Sequence, residues 1–227
     1  MILHEWHPYS SFAMLSLVQS NGNMYIPNEF REKDEKEIFS FLDNNRFGAF
    51  LMNGMDGFPL VSHLPFYLCG NSEAFCIEFH LAAVNPQASL IKNGALAKWV
   101  VTGPSAYVSA GLYDHANVST YNYQAVHVSG SLSLLTADEI QKHLQAVSEH
   151  FERGRENPHD VNSLPKEMLE SYMKEIVVAR LEPFKVDAAY KLSQNRNQGD
   201  LQRIIDELDS GSEQEKALAQ KMKGLLK

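Results

Sequence analysis

Apolar positions along this chain change period several times, and each change marks an element. Ile38, Phe39, Phe41 and Leu42 recur at helical spacing behind Asp34-Glu35-Lys36-Glu37, a helix start with capping-box-like spacing. The period then shortens. Residues 46–53 and 58–66 are apolar, β-prone runs joined through Gly54-Met55-Asp56-Gly57, a hairpin signal. A strand over 73–80 follows the turn Gly70-Asn71-Ser72, and Asn85-Pro86 opens a short helix that Asn93-Gly94 stops. Further strands are predicted over 95–102, 106–109 and 122–135. Thr136 with Glu139 forms a capping box for a helix reaching about residue 153, and 166–173 is a short helix after a loop. Strand character returns over 176–190, interrupted by Pro183, which belongs at an edge or bulge. Two helices, 200–208 and 213–226, close the chain around Asp209-Ser210-Gly211-Ser212.

Six or seven strands with short turns and peripheral helices predict a mainly β protein, a closed or nearly closed antiparallel barrel. No internal repeat or low-complexity linker divides it. The expected organisation is an N-terminal extension (1–23), a barrel domain (24–195) and a C-terminal helical appendage (196–227).

Composition changes this picture little. The 227 residues are 44% hydrophobic and 21% charged, within the globular range. A net charge of −8 argues against nonspecific nucleic-acid binding, which needs clustered Lys and Arg. Cys69 and Cys76 flank a turn, and a lone pair in a chain of this size is read as two reduced cytosolic thiols. Their spacing suits no zinc site. The apolar run 12–18 lacks the positive flank of a signal peptide, and no stretch has the length of a membrane span, so a cytoplasmic protein is expected. His4 and His7 lack a third ligand and are read as surface histidines.

Candidate chemistry lies in three places. Lys191-Leu192-Ser193-Gln194-Asn195-Arg196 sets two cations around hydrogen-bonding side chains, suited to an anion such as a phosphate. Tyr121, Asn122 and Tyr123 bring aromatic rings and an amide to the start of a strand. The run from Phe79 to Gln87 leads a strand end into a helix start, where free backbone N–H groups favour anions, though an ordinary turn with Asn85 as cap explains it as well. No Ser-His-Asp set or carboxylate pair is identifiable, so hydrolysis has no support. The terminal helical hairpin is a poor DNA reader, because its second helix opens with Glu213, Gln214 and Glu215.

Several motifs together resemble one family. Met24-Tyr25-Ile26-Pro27, Ser62-His63-Leu64-Pro65-Phe66, His80-Leu81-Ala82, Asn85-Pro86-Gln87, Gly103-Pro104-Ser105-Ala106-Tyr107-Val108-Ser109, Asn122-Tyr123 with Val126-His127-Val128, and residues 191–196 are similar to the PaiB-type, FMN-binding negative transcriptional regulators. The resemblance implies an FMN-binding split β-barrel of the pyridoxamine-phosphate-oxidase-like kind, a homodimer with flavin at the subunit interface. It implies that Ser62, His63, His80, Asn85 and Gln87 line one side of the flavin. Tyr121, Asn122 and Tyr123 flank the ring, and Lys191, Ser193, Gln194, Asn195 and Arg196 supply polar and cationic contacts. The chain departs from the family where Ala83 stands in place of an Arg, and Tyr121 in place of a Trp; Ala110-Gly111-Leu112 stands for Pro-Ser-Trp. The first departure removes a phosphate partner and weakens the expected FMN affinity.

The function implied is therefore an FMN-binding regulator, with nucleic acid as a partner by resemblance alone. The alternative is a flavin-dependent oxidoreductase or flavin reductase acting on a small molecule, where the cofactor carries the redox chemistry. A weaker alternative is a haem-binding barrel with His63, His80 or His127 as axial ligand.

Overall fold

A computed structural model describes residues 24–226. The expectations for the N-terminal extension, His4 and His7 lie outside the described residues. Seven antiparallel strands form one sheet: β1 (Phe47–Asn53), β2 (Pro59–Pro65), β3 (Tyr67–Gly70), β4 (Phe75–Ala82), β5 (Leu96–Val108), β6 (Thr120–Leu134) and β7 (Ile176–Lys191). Their order is β2-β1-β5-β6-β7-β4-β3. The two edge strands, β2 and β3, are thus separated in sequence by Phe66 alone, which forces the sheet to curl back on itself. Packing shows the closure. β1 and β4 stand four places apart in the sheet, yet the rings of Phe50 and Phe79 lie 4.5 Å apart. Trp99 of β5 sits between them, with Phe66 at 5.1 Å, and all four rings are buried.

The helices cover the barrel. Asp34 caps α1 (Glu35–Asn44) through its side chain, and Phe41 and Leu42 bury its inner face. The capping box of Thr136 and Glu139 opens α2 (Ala137–Glu152), followed by α3 (Lys166–Lys174). The terminal hairpin consists of α4 (Gln198–Asp209) and α5 (Glu213–Lys223), with a second capping box at Ser212 and Glu215. Leu201, Ile204, Ile205, Leu218 and Met222 from this hairpin join the same core as the barrel residues.

Some elements differ from expectation for identifiable reasons. The two strands predicted around residue 104 are one, β5, because a bulge absorbs Gly103 and Pro104 between the pairs Thr102–Ala125 and Ser105–Tyr123. Pro183 sits at a bulge as expected: Ser129 pairs Lys185, Gly130 pairs Pro183, and Phe184 is left unpaired. Gly130 is required there, since a Cβ would run into the Glu182 carbonyl and a Leu181 methyl. The predicted helix after Asn85 is a short 3₁₀ turn, Pro86–Leu90. Cys69 and Cys76 are joined in a disulfide, which corrects the expectation of two thiols. The cause is register: they are directly opposed on β3 and β4, with Cα atoms 5.2 Å apart.

Candidate functional site

The first candidate group forms where β1, β2 and the turn after β4 meet. Asn85 caps the 3₁₀ turn by accepting the Gln87 N–H at 2.9 Å, while its amide donates to Ser62 Oγ at 3.0 Å. Gln87 is buried beneath them and donates to the carbonyls of Leu60 and Phe50, at 3.1 and 3.3 Å. Its Oε1 is buried with no partner in the described structure. A buried amide oxygen without a donor is costly, so this corner is one polar group short of complete. His63 stands on the outward side of β2, exposed and stacked with Phe47.

The second group lies at the far end of β6 and β7. Tyr121 is 52% exposed and opposes Tyr107 across β5, while Tyr123 opposes Lys191. Asn122 points the other way. It is fully buried, donates to Ser193 Oγ at 2.9 Å and accepts from the same hydroxyl at 3.2 Å. Ser193 holds a left-handed backbone, φ 61°, that turns the chain from β7 toward α4. Gln194 braces this turn by accepting from the Leu192 N–H and donating to the Tyr190 carbonyl. Asn195 is exposed. Lys191 donates to Thr120 Oγ1 and lies over the Phe30 ring, and Arg196 lies over the Tyr113 ring. Residues 191–196 thus form a locked turn whose Ser193 faces inward and whose two cations rest on aromatic rings.

His80 belongs to neither group by its contacts. It enters a chain of buried and half-buried polar groups beneath α2 that no local sequence signal marked. Arg180 donates to Glu78 Oε1 at 3.0 and 2.7 Å, Glu78 Oε2 faces His143 Nδ1 at 3.2 Å, and His143 Nε2 faces His80 Nδ1 at 3.1 Å. Burial opposes ionisation of Glu78, but hydrogen bonds from His143 and Arg180 outweigh it and hold the carboxyl below its ordinary range. With Glu78 ionised and able only to accept, His143 donates to it from Nδ1. Burial, with a smaller push from His143, lowers the His80 pKa to about 4. Glu78 and His80 are two apart on one strand and share a face, but the arrival of His143 required the tertiary fold. His127, half-buried, is likewise lowered by burial and by Lys98, against the pull of Asp187.

No hydrogen bond or ion pair described connects the first group to the second. Three strand spacings separate β2 from β6 in the sheet, roughly 14 Å along a flat path.

An antiparallel barrel with flanking helices and two separated polar half-sites is the setting in which the relatives of this chain become informative. Residues 24–183 match the family described as "Putative FMN-binding domain", and the chain belongs to that family. It is 36% identical over 187 residues to the protease synthase and sporulation protein PAI 2 of Bacillus subtilis (strain 168), covering 82% of this chain and 90% of that protein. In fold it is similar to the FAD and heme binding protein from Mycobacterium smegmatis, with a TM-score of 0.57 at 16% identity over 71% of this chain and 73% of that one. The flavocytochrome Anf3 from Azotobacter vinelandii matches with a TM-score of 0.57 at 14% identity, over 76% and 74% of the two chains. The fold is an antiparallel split β-barrel, mainly β with peripheral helices.

Proposed function

We propose that this chain is a cytoplasmic, FMN-binding regulatory protein of the PaiB type, with its flavin site completed across a homodimer interface. The observation that carries the reading is the corner of Ser62, Asn85 and Gln87, with its unpartnered buried Gln87 oxygen. Neutral amide and hydroxyl groups of that kind suit the carbonyl and N–H edge of a flavin ring. The donor set therefore fits the cofactor that the family description names. Ser62, Asn85 and Gln87 would hold and orient the flavin, and His63 with Phe47 would border it. FMN itself would supply any redox chemistry.

Each half-site is incomplete within one chain. Tyr121, Tyr123, Lys191 and Arg196 supply the aromatic and cationic groups that the Gln87 corner lacks, and a second copy would bring them to it. Phe47, Val61 and Leu96 support such pairing, since they expose 60%, 48% and 67% of their surface on three neighbouring strands. Large exposed apolar residues on one sheet face mark an interaction surface. No helix among the described residues is long and apolar enough to cross a membrane.

The test is an FMN titration of the purified protein, followed by flavin fluorescence and sedimentation. Saturable quenching by a dimer, lost in Ser62→Ala and Gln87→Ala, is expected; absence of saturable binding sinks the cofactor assignment. A regulatory role further requires a mobility shift on regulatory DNA from the source genome, alone or with a partner protein. Bleaching of bound flavin by NADH or NADPH would instead favour the oxidoreductase.

A further inference from the structure

A cleft of about 820 Å³ opens between the β3–β4 hairpin, the start of α1 and the bulge of β7. None of the flavin-site candidates lines it. Its wall contains both cysteines, Cys69 and Cys76, each half-buried and so reachable from solvent. Around them the cleft offers both signs of charge. Arg31 and Lys185 share a single carboxylate, Asp187, at 3.5 and 3.1 Å, which leaves one positive charge over on that side, and Lys33 adds another. Glu32, Glu35 and Glu73 line the cleft as well; one Glu32 oxygen is engaged by the N–H groups of Lys33 and Asp34, both at 2.8 Å. Ile38, Phe75 and Phe184 give the remaining wall an apolar character. A ligand matching this lining carries carboxylates and an ammonium, is the size of a short peptide, and meets a disulfide when seated.

We propose that Cys69–Cys76 is a thiol–disulfide exchange site for a small zwitterionic peptide thiol. The incoming thiolate attacks one cysteine sulfur; a new S–S bond forms as the Cys69–Cys76 bond breaks, and the electron pair leaves on the other cysteine as a thiolate. A second thiol of the same class attacks the mixed disulfide and releases the small-molecule disulfide. The protein gains two electrons, two small thiols are oxidised to one disulfide, and their protons end on Cys69 and Cys76. The hairpin tolerates the opening, because the β3–β4 ladder keeps its pairs Tyr67–Glu78, Leu68–Ile77 and Gly70–Phe75. In a reducing compartment this exchange, rather than folding, decides the state of the pair.

The test uses the full chain, oxidised, with reduced glutathione as probe. Samples are quenched in acid, alkylated and read by intact mass and peptide mapping. A glutathione adduct on Cys69 or Cys76, then two free thiols, is expected. Per thiolate present, glutathione should react about threefold faster than its diethyl ester, whose carboxylates are blocked, and Lys33→Ala should erase that difference. Cys76→Ser and Cys69→Ser, treated with oxidised glutathione, should identify the attacked sulfur as the one that retains the adduct. Absence of both adduct and free thiols in wild type, at every glutathione ratio, overturns the exchange. Equal rates for glutathione and its ester overturn the recognition, and both readings need only the wild-type protein.

Discussion

His80 Nδ1 lies 3.1 Å from His143 Nε2, so β4 and α2 are joined by two imidazole rings in line with Glu78 and Arg180. The charged groups facing the two rings are Glu78, Arg180 and, beyond Arg180, Glu139. The His80 pKa is about 4 in the folded protein, against an ordinary value of 6.5. The unfolded chain therefore takes up a proton between those values that the folded chain refuses. Stability present above pH 6.5 is lost progressively as pH falls toward 4. We expect His80→Gln to flatten the fall between pH 6.5 and 4.5, measured by urea denaturation at stepped pH. The difference between variant and wild type isolates His80, because half-buried His127 and partly buried His150 are also lowered. An unchanged slope would mean that His80 does not carry it.

The Asn122–Ser193 pair predicts a different response. Both residues are flavin-site candidates from the sequence, yet both are buried and bond each other, with Met222 sulfur 3.7 Å from the Asn122 amide. Asn122→Ala leaves the Ser193 hydroxyl without its partner in a closed site, at a cost of about 1–3 kcal/mol. The measurement is the urea midpoint without flavin. A loss of stability before any cofactor is added would assign Asn122 to the lock on the turn, whereas a variant of unchanged stability with weakened FMN binding would assign it to the flavin.

How much of this was legible differs by residue. Asp34, Thr136 with Glu139, and the Pro183 bulge were readable because caps and bulges are local events with local residue requirements. Strand β3 was missed: four residues following Phe66 carry too short a pattern to separate from the turn. The disulfide was misread because compartment statistics say nothing about register, and register alone set Cys69 against Cys76. The polar motifs were found, but their direction was not. Alternation along β6 decides that Tyr121 faces out and Asn122 in, and which face is inside depends on where α5 packs.

Cutting the chain at the boundary expected between 195 and 196 predicts an energetic failure. Asp200 is fully buried at the start of α4, where it accepts the Asp114 N–H at 3.0 Å and pairs with Arg203. Arg203 donates in turn to the Leu112 carbonyl at 2.7 Å. Leu201, Ile204, Ile205, Leu208 and Leu218 are all buried in the shared core. At about 1.5–3 kcal/mol for each such side chain, their loss matches or exceeds the 5–15 kcal/mol that holds a typical domain. A chain ending at residue 195 is expected to lose its near-ultraviolet circular dichroism. A truncated protein that still melted cooperatively would show the appendage to be separable.

Ala83 gives the sharpest test of the flavin reading. It is exposed immediately after β4, two residues before Asn85, and its backbone N–H donates to the Glu175 carbonyl at 2.8 Å. Its side chain is thus free to be lengthened without disturbing that bond, and it stands beside the Asn85–Gln87 corner proposed to hold the flavin. An Arg there restores a charge-assisted, bidentate-capable partner worth about 1.5–3 kcal/mol. Ala83→Arg should therefore tighten FMN roughly ten- to a hundredfold in a fluorescence titration, and should tighten riboflavin, which lacks the phosphate, far less. Equal gains for both ligands would place the new charge on the ring rather than the phosphate. No gain for either would remove residues 83–87 from the phosphate side of the site.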